Sequence, residues 1–275
     1  MIEKIDFEKI EESSVYGYAK KLDFFQKNKE VKFKPGLNIV FAPNGTGKST
    51  LLEIMAKFTA SEQGGISTIT SSWKQDMIGY NENKMQGIQV FHDGQPTLYN
   101  NPRKAVGLFG GMAAFDDDFF NEGIIETQLR ESTGYTTMAR LQKVLSVIAG
   151  EGKMPHEFAK KVNIDEKYGQ FLEAKIEKGQ QTIILDEPES GLAIHAQSKI
   201  FRMIEKATKE RNLQIIVATH SPFALMSEAN FIELQPGYIK TAKYEIQILS
   251  EILNLQDELK EKEELKEKSN KRKIK

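Results

Sequence analysis

The stretch Ala42-Pro43-Asn44-Gly45-Thr46-Gly47-Lys48-Ser49-Thr50 limits what this chain can fold into more than any other segment. It follows an apolar run, Leu37-Asn38-Ile39-Val40-Phe41, that reads as a buried strand. It precedes Leu51-Leu52-Glu53-Ile54-Met55-Ala56, which reads as the first turns of a helix. A strand, a glycine-rich turn and a helix opening Gly-Lys-Ser are the parts of a phosphate-binding loop. Gly45 and Gly47 let backbone N–H groups turn inward as a nest for phosphate oxygens, and the helix N-terminus adds unpaired donors and its positive dipole end. Lys48 brings a mobile charge for the β- and γ-phosphates, and the Ser49 hydroxyl is placed to ligate Mg²⁺. Asn44, Thr46 and Thr50 complete the expected nucleotide-binding set. One position departs from the pattern G-x-x-x-x-G-K-[ST]: Ala42 stands where a glycine is expected, which narrows the backbone angles open to it.

A second segment, Thr182-Ile183-Ile184-Leu185-Asp186-Glu187-Pro188-Glu189, reads as a buried parallel strand that delivers two carboxylates to the carboxyl edge of a sheet. Asp186 is suited to Mg²⁺, and Glu187 to orienting and deprotonating an attacking water. Pro188 removes a ladder donor and so ends the strand. A third run, Leu213-Gln214-Ile215-Ile216-Val217-Ala218-Thr219-His220-Ser221-Pro222, is again apolar and then polar. It sends His220 to the same edge, where an imidazole donates to a γ-phosphate or to the attacking water.

The set N-G-x-G-K-S-T, I-L-D-E-P-E-S-G-L and A-T-H-S-P resembles the ABC-type ATPases, over roughly residues 1 to 240. It is most similar to their soluble branch of SMC- and RecF-like heads and small stand-alone AAA_21-like ATPases of bacterial genomes and mobile elements. Transporter subunits usually read D-E-P-T-S-A-L-D, where this chain has Asp186-Glu187-Pro188-Glu189-Ser190-Gly191-Leu192 and then Ala193. The resemblance implies an α/β fold: a mixed central sheet, an N-terminal antiparallel β subdomain and a helical signature lobe. It implies ATP and Mg²⁺ as cofactors, with Lys48, Glu187 and His220 as catalytic groups. Ser190, Gly191 and Leu192 become the D-loop. Such ATPases pair head to tail, each ATP being closed by a partner's L-S-G-G-Q signature. No such string occurs here, and Ser132 and Gly134, in Glu131-Ser132-Thr133-Gly134-Tyr135, keep its S-x-G core ahead of a helical run from Met138 to Ile148. Gln75, Gln86 and Gln89 all lie where a Q-loop glutamine belongs, and Tyr16, Tyr18, Phe24 and Phe25 compete for the adenine-stacking position. Asp116-Asp117-Asp118 reads as a solvated turn or helix start, with an approach to the metal site as the alternative.

Composition sets outer bounds. A net charge of −1 leaves no global nucleic-acid footprint, and the absence of cysteine removes disulfides and thiolate chemistry. No apolar stretch approaches the roughly 18 residues that span a bilayer, and the start lacks a signal-peptide core. The expectation is a soluble, cytoplasmic protein without direct membrane insertion. The 275 residues suit one ample core plus a subdomain. The expected ATPase domain covers 1–245, with a peripheral and helical lobe at about 60–150. Residues 1 to 35, including Val15 to Phe25, read as an antiparallel sheet with one wet face. Gly87 to Phe91 and Thr97 to Asn100 read as a hairpin turned at 92–95. Pro155 to Lys178 and Ile194 to Glu210 read as helices, and Phe231-Ile232-Glu233-Leu234 as the last core strand. The segment between Lys48 and Ser132 leaves no room for long coiled-coil arms. Residues 246–275 form a charged C-terminal helix or tail. Its stripe of Ile248, Ile252, Leu255 and Leu259 is expected to pack on its own domain, and its basic end to fray into solvent.

Three functions follow. The first is Mg²⁺-dependent ATP binding and hydrolysis by a homodimer or higher oligomer, which by family analogy serves DNA repair or phage defence beside a partner nuclease or other effector, with nucleic acid left open as a partner. The second is the nucleotide subunit of a membrane transporter. The third is a non-hydrolysing ATP sensor or scaffold.

Overall fold

The computed structural model describes residues 1–12, 14, 16–59, 87–93, 97–101, 144–146, 148–149 and 181–273. Five strands form its central sheet in the order β5-β6-β7-β3-β8: β3 (Leu37–Phe41), β5 (Thr97–Asn100), β6 (Thr182–Asp186), β7 (Gln214–Thr219) and β8 (Asn230–Glu233). All four pairings are parallel, for example Ile39 opposite Val217 and Ile184 opposite Ile216. Every residue of β3, β5, β6 and β7 is buried. Parallel strands buried on both faces need no hydrophobic-polar alternation, which is why these segments read as continuous apolar runs.

The two covers are visible in the core. On one face Val40, Ile184, Ile216 and Tyr99 join Leu51, Leu52, Ile54 and Met55 of helix α2 (Lys48–Phe58), together with Ile2 and Ile5. On the other, Ile39, Phe41, Ile183, Leu185, Ile215 and Val217 join Ile200, Phe201 and Ile204 of helix α3 (Ile194–Glu210), together with Val144 and Ile148. Side chains of successive strand residues alternate between these two clusters.

Among the described residues, antiparallel pairing is confined to a second sheet of β2 (Glu30–Lys32), β1 (Ile2–Asp6) and β4 (Gln89–His92), in the order β2-β1-β4. Gln214 joins the two sheets. Its buried carboxamide donates to the Ile2 and Lys34 carbonyls, at 2.8 and 3.1 Å, and accepts from the Ile2 N–H and the Thr182 hydroxyl, both at 2.8 Å.

Three expectations are corrected. Val15 to Phe25 is not a strand where it is described. It holds a 3-10 helix (Gly17–Lys21) and helix α1 (Asp23–Lys27). Phe24 and Phe25 are adjacent and both buried, whereas a strand would send them to opposite faces. The helix turns both rings onto Phe7, with centroids 6.1 and 4.8 Å away. The hairpin over residues 87–100 is also wrong. Strand β4 pairs antiparallel with β1, Val90 opposite Ile5, while β5 enters the central sheet parallel to β6, Leu98 opposite Ile183. Burial separates them: Gln89 and Phe91 are exposed on a half-wet strand, and all of β5 is covered. Finally, helix α4 (Tyr238–Lys273) anchors only at its start, where Tyr238 stacks on Phe41 at 5.5 Å and Ile239 and Ala242 meet the core. Of the stripe, Ile252 and Leu255 are exposed, as are Leu249 and Leu253, so these side chains do not pack on their own domain, while Ile248 is half-buried.

The expected helix over 155–178 lies outside the described residues, as does most of the lobe at 60–150 and of the helix leading to Ile148.

Candidate active site

The strand order β6-β7-β3 brings three carboxyl ends side by side. The glycine-rich loop leaves β3, Asp186 ends β6, and His220 follows the last residue of β7. The carboxyl edge of a parallel sheet is where such folds bind ligands.

Loop geometry follows from its sequence. Gly45 and Gly47 take positive φ, +79° and +101°. Thr46 pins the turn by donating its hydroxyl to the Pro43 carbonyl at 2.8 Å. Ala42 is fully buried and lies outside the positive-φ set, so alanine costs nothing where a glycine was expected. The Lys48 ammonium donates to the Ala42 and Pro43 carbonyls, at 2.8 and 3.1 Å, and is 3.8 Å from the Glu187 carboxylate. Glu187 Oε1 is in turn 3.3 Å from His220 Nδ1. Lys48, Glu187 and His220 thus meet at one point. Glu187 and Lys48 are buried and His220 is 43 % exposed. A cleft of about 420 Å³ opens above, lined by Tyr18, Leu22, Asn44, Gly45, Gly47, Lys48, Ser49, Thr50 and Glu187.

Glu187 sits at φ +48°, a conformation that costs a non-glycine residue about 1 kcal/mol or more. Its N–H donates to the Ala218 carbonyl at 2.8 Å, which holds the turn against β7.

Asp186 is buried, and burial is the main reason its pKa is pushed up to about 6. The Ser49 hydroxyl opposes the shift, the carboxylates of Glu187 and Glu53 add to it, and Lys48 opposes it. Asp186 Oδ2 accepts from Asn101 Nδ2 at 2.8 Å, whereas Oδ1 is buried without a hydrogen bond of ordinary length. One oriented carboxylate with an uncompensated oxygen beside a serine hydroxyl fits a hard divalent cation.

Asn101 was missed from the sequence. It follows β5, and reading that strand as half of a hairpin hid the edge to which it delivers its side chain. Among the adenine-stacking candidates, Tyr16, Phe24 and Phe25 are buried, at 3 %, 7 % and 7 % exposure. Tyr18 is 49 % exposed on the cleft and shares a 3.2 Å hydrogen bond with Thr50. Gln89 is on the outer antiparallel sheet, away from these groups in the fold. Ser132, Gly134, Gln75, Gln86 and Asp116 to Asp118 lie outside the described residues. Ser190, Gly191 and Leu192 form the turn after Glu187, with Ser190 N–H donating to the Glu187 carbonyl and Gly191 exposed at φ +78°.

A phosphate-type loop facing an acidic strand end across a parallel sheet defines a P-loop nucleotide-binding protein. A family model described as "AAA domain, putative AbiEii toxin, Type IV TA system" matches residues 168–227, which hold the Asp186 and His220 segments. The ribose import ATP-binding protein RbsA of Clostridium tetani is 28 % identical over 177 residues, covering 64 % of this chain and 32 % of that protein. The energy-coupling factor transporter ATP-binding protein EcfA2 of Mycoplasma capricolum is 25 % identical over 233 residues, covering 79 % and 73 %. The lipoprotein-releasing system ATP-binding protein LolD of Granulibacter bethesdensis is 22 % identical over 199 residues, covering 70 % and 78 %. This chain therefore spans about a third of the length of RbsA and about three quarters of EcfA2 and LolD. A solved structure of a putative metal-chelate type ABC transporter in an inward-facing conformation aligns over 86 % of this chain and 80 % of its own, at 15 % identity and a TM-score of 0.38. The chain is thus similar, over most of its length, to ATP-binding proteins of ABC type.

Proposed function

We propose that the protein hydrolyses ATP in a Mg²⁺-dependent, head-to-tail pair of chains, with Glu187 as the general base. The convergence of Lys48, Glu187 and His220 above a buried acidic strand end carries this reading. The Gly45–Gly47 backbone and Lys48 bind and orient the β- and γ-phosphates, Lys48 exchanging loop carbonyls for phosphate oxygens. Ser49 and Asp186 would hold Mg²⁺, which supplies charge neutralisation on the phosphates. Glu187 takes a proton from the attacking water, and His220 senses the γ-phosphate and fixes the carboxylate that does so. Tyr18, alone among the aromatic candidates in facing the cleft with an exposed ring, stacks on the base. Ser132 and Gly134 close the partner's nucleotide, and Ser190, Gly191 and Leu192 meet the partner at the same seam. Residues 1–245 act as the ATPase unit.

Glu187→Gln is the direct test. It should bind ATP with wild-type affinity, lose turnover by about a hundredfold or more, and accumulate a dimer on size exclusion with light scattering in ATP and Mg²⁺. Wild-type turnover in this variant would exclude Glu187 as the base.

Two tasks remain for this engine. The wording Asp186-Glu187-Pro188-Glu189-Ser190-Gly191 and the toxin-related family description support a stand-alone ATPase in DNA repair or anti-phage defence, working with a nuclease or another effector. The transport names of RbsA, EcfA2 and LolD support a nucleotide subunit that serves a membrane partner. Native purification from the source cell separates them, since an integral membrane protein that co-elutes supports transport and a nuclease supports defence.

A further inference from the structure

The carboxylate of Glu189 is buried at the heart of the site, yet the hydrolytic scheme above leaves it without a task. It belongs to a closed ring of hydrogen bonds. The Thr219 hydroxyl donates to Glu189 Oε1. The Ser221 N–H donates to Thr219 Oγ1 at 2.9 Å, and the Ser221 hydroxyl donates to Gln197 Oε1 at 3.1 Å. Gln197 Nε2 donates to the Leu192 carbonyl at 3.0 Å, and the Leu192 N–H donates back to the Glu189 carbonyl at 3.0 Å. The ring therefore grips both neighbours of His220 and both ends of the turn 189–192. Thr219, Ser221 and Glu189 are buried, at 0 %, 2 % and 5 % exposure, while His220 between them is 43 % exposed. A half-exposed imidazole that meets Glu187 at 3.3 Å takes the rest of its placement from its two anchored flanks.

We propose that Glu189 is a positioning residue for the Glu187–His220 pair, and that the ring Glu189–Thr219–Ser221–Gln197–Leu192 couples the turn 190–192 to the imidazole. The inference rests on the proposed role of His220 in hydrolysis. Movement of the turn, as when a second copy docks on it, is passed through Gln197 and Ser221 to the backbone beside His220. Glu189 is not among the residues that line the cleft, so its loss should change turnover and spare ATP affinity.

The experiment uses the full chain with Glu189→Ala, Glu189→Gln, Gln197→Ala and His220→Ala, each alone and the first also combined with His220→Ala. A displaced catalytic group slows turnover by about tenfold to a hundredfold. Glu189→Ala and Gln197→Ala should therefore lower kcat by about tenfold or more, with KM for ATP within about twofold. Glu189→Gln should restore most of the rate, because its carboxamide oxygen still accepts from Thr219. The Glu189→Ala cost should vanish in the His220→Ala background, because the two then act on one group. A second readout is independent of activity. The chain has four histidines, so the ¹⁵N-histidine spectrum is sparse, and the His220 signal, identified by its loss in His220→Ala, should shift in both Glu189→Ala and Gln197→Ala. An undiminished Glu189→Ala cost in the His220→Ala background, or an unmoved His220 signal, overturns the proposal. If His220→Ala alone keeps wild-type kcat while the signal still shifts in the ring variants, the hydrolytic role of His220 falls and the positioning by Glu189 stands.

Discussion

Gly45 and Gly47 both take positive φ, but their surroundings differ. A Cβ on Gly45 would meet nothing within 4 Å, whereas one on Gly47 would lie 2.9 Å from both Leu22 Cδ1 and Phe25 Cε2. Gly45→Ala therefore carries backbone strain alone, about 1 to 2 kcal/mol. Gly47→Ala adds overpacking against α1 and its approach, roughly 1 to 3 kcal/mol more. Urea unfolding of the two variants should rank them in that order. Asp186 gives a pH signature. Its folded pKa, about 6, is above the ordinary aspartate value of 3.8, so between those values the folded state holds more protons than the unfolded one. Stability is then favoured at low pH and declines as pH rises through that window, by on the order of 3 kcal/mol from this group. Asp186→Asn should remove that decline from the pH dependence of urea unfolding measured in EDTA. The loop, the acid pair and His220 were all legible in the sequence, because each follows a short apolar run whose end fixes its edge. Asn101 was not, since its role depends on which strand lies beside β6.

At the scale of elements, the strands β3, β6 and β7 were readable because both faces are covered, and the continuous apolar run is the mark of that. The runs at residues 15–25 and 87–100 misled for the same physical reason. Short amphipathic segments carry period and polarity, while the choice of partner belongs to the rest of the chain. Strand β4 and strand β5 are separated by four residues and enter different sheets. Gln214, which ties those sheets together, sits at the start of an apolar strand with no local sign of its four hydrogen bonds. Gln214→Leu should cost about 3 kcal/mol or more, since each buried polar group left unsatisfied costs roughly 1 to 3 kcal/mol. Chemical denaturation checks this, and a loss under 1 kcal/mol would mean that water replaces the carboxamide.

For the molecule as a whole, the described members of its two cores run no further than Ala242, and most described side chains of helix α4 beyond that point are exposed. No described helix is long and apolar enough to cross a membrane. Leu249, Leu253 and Leu255 are 57 %, 51 % and 59 % exposed. Replacing all three with glutamate should leave the chemical-denaturation midpoint almost unchanged, because exposed substitutions usually stay within about 0.5 kcal/mol each. A large loss of stability would mean that these side chains are covered in solution.

The sequence alone placed a glycine-rich loop, two carboxylates and an imidazole, each at the end of a strand by local pattern. It also marked the strand that ends at Asp186 as a buried parallel one, because burial on both faces is written in its apolar run, while the sheet as a whole was expected to be mixed. Tertiary structure alone decided strand order, the separation of β4 from β5, the Asn101 hydrogen bond to Asp186 and the ring around His220. Those features join residues as far as 192 positions apart in the chain, as with Asn38 and Asn230, and such contacts are set by packing rather than by any local preference.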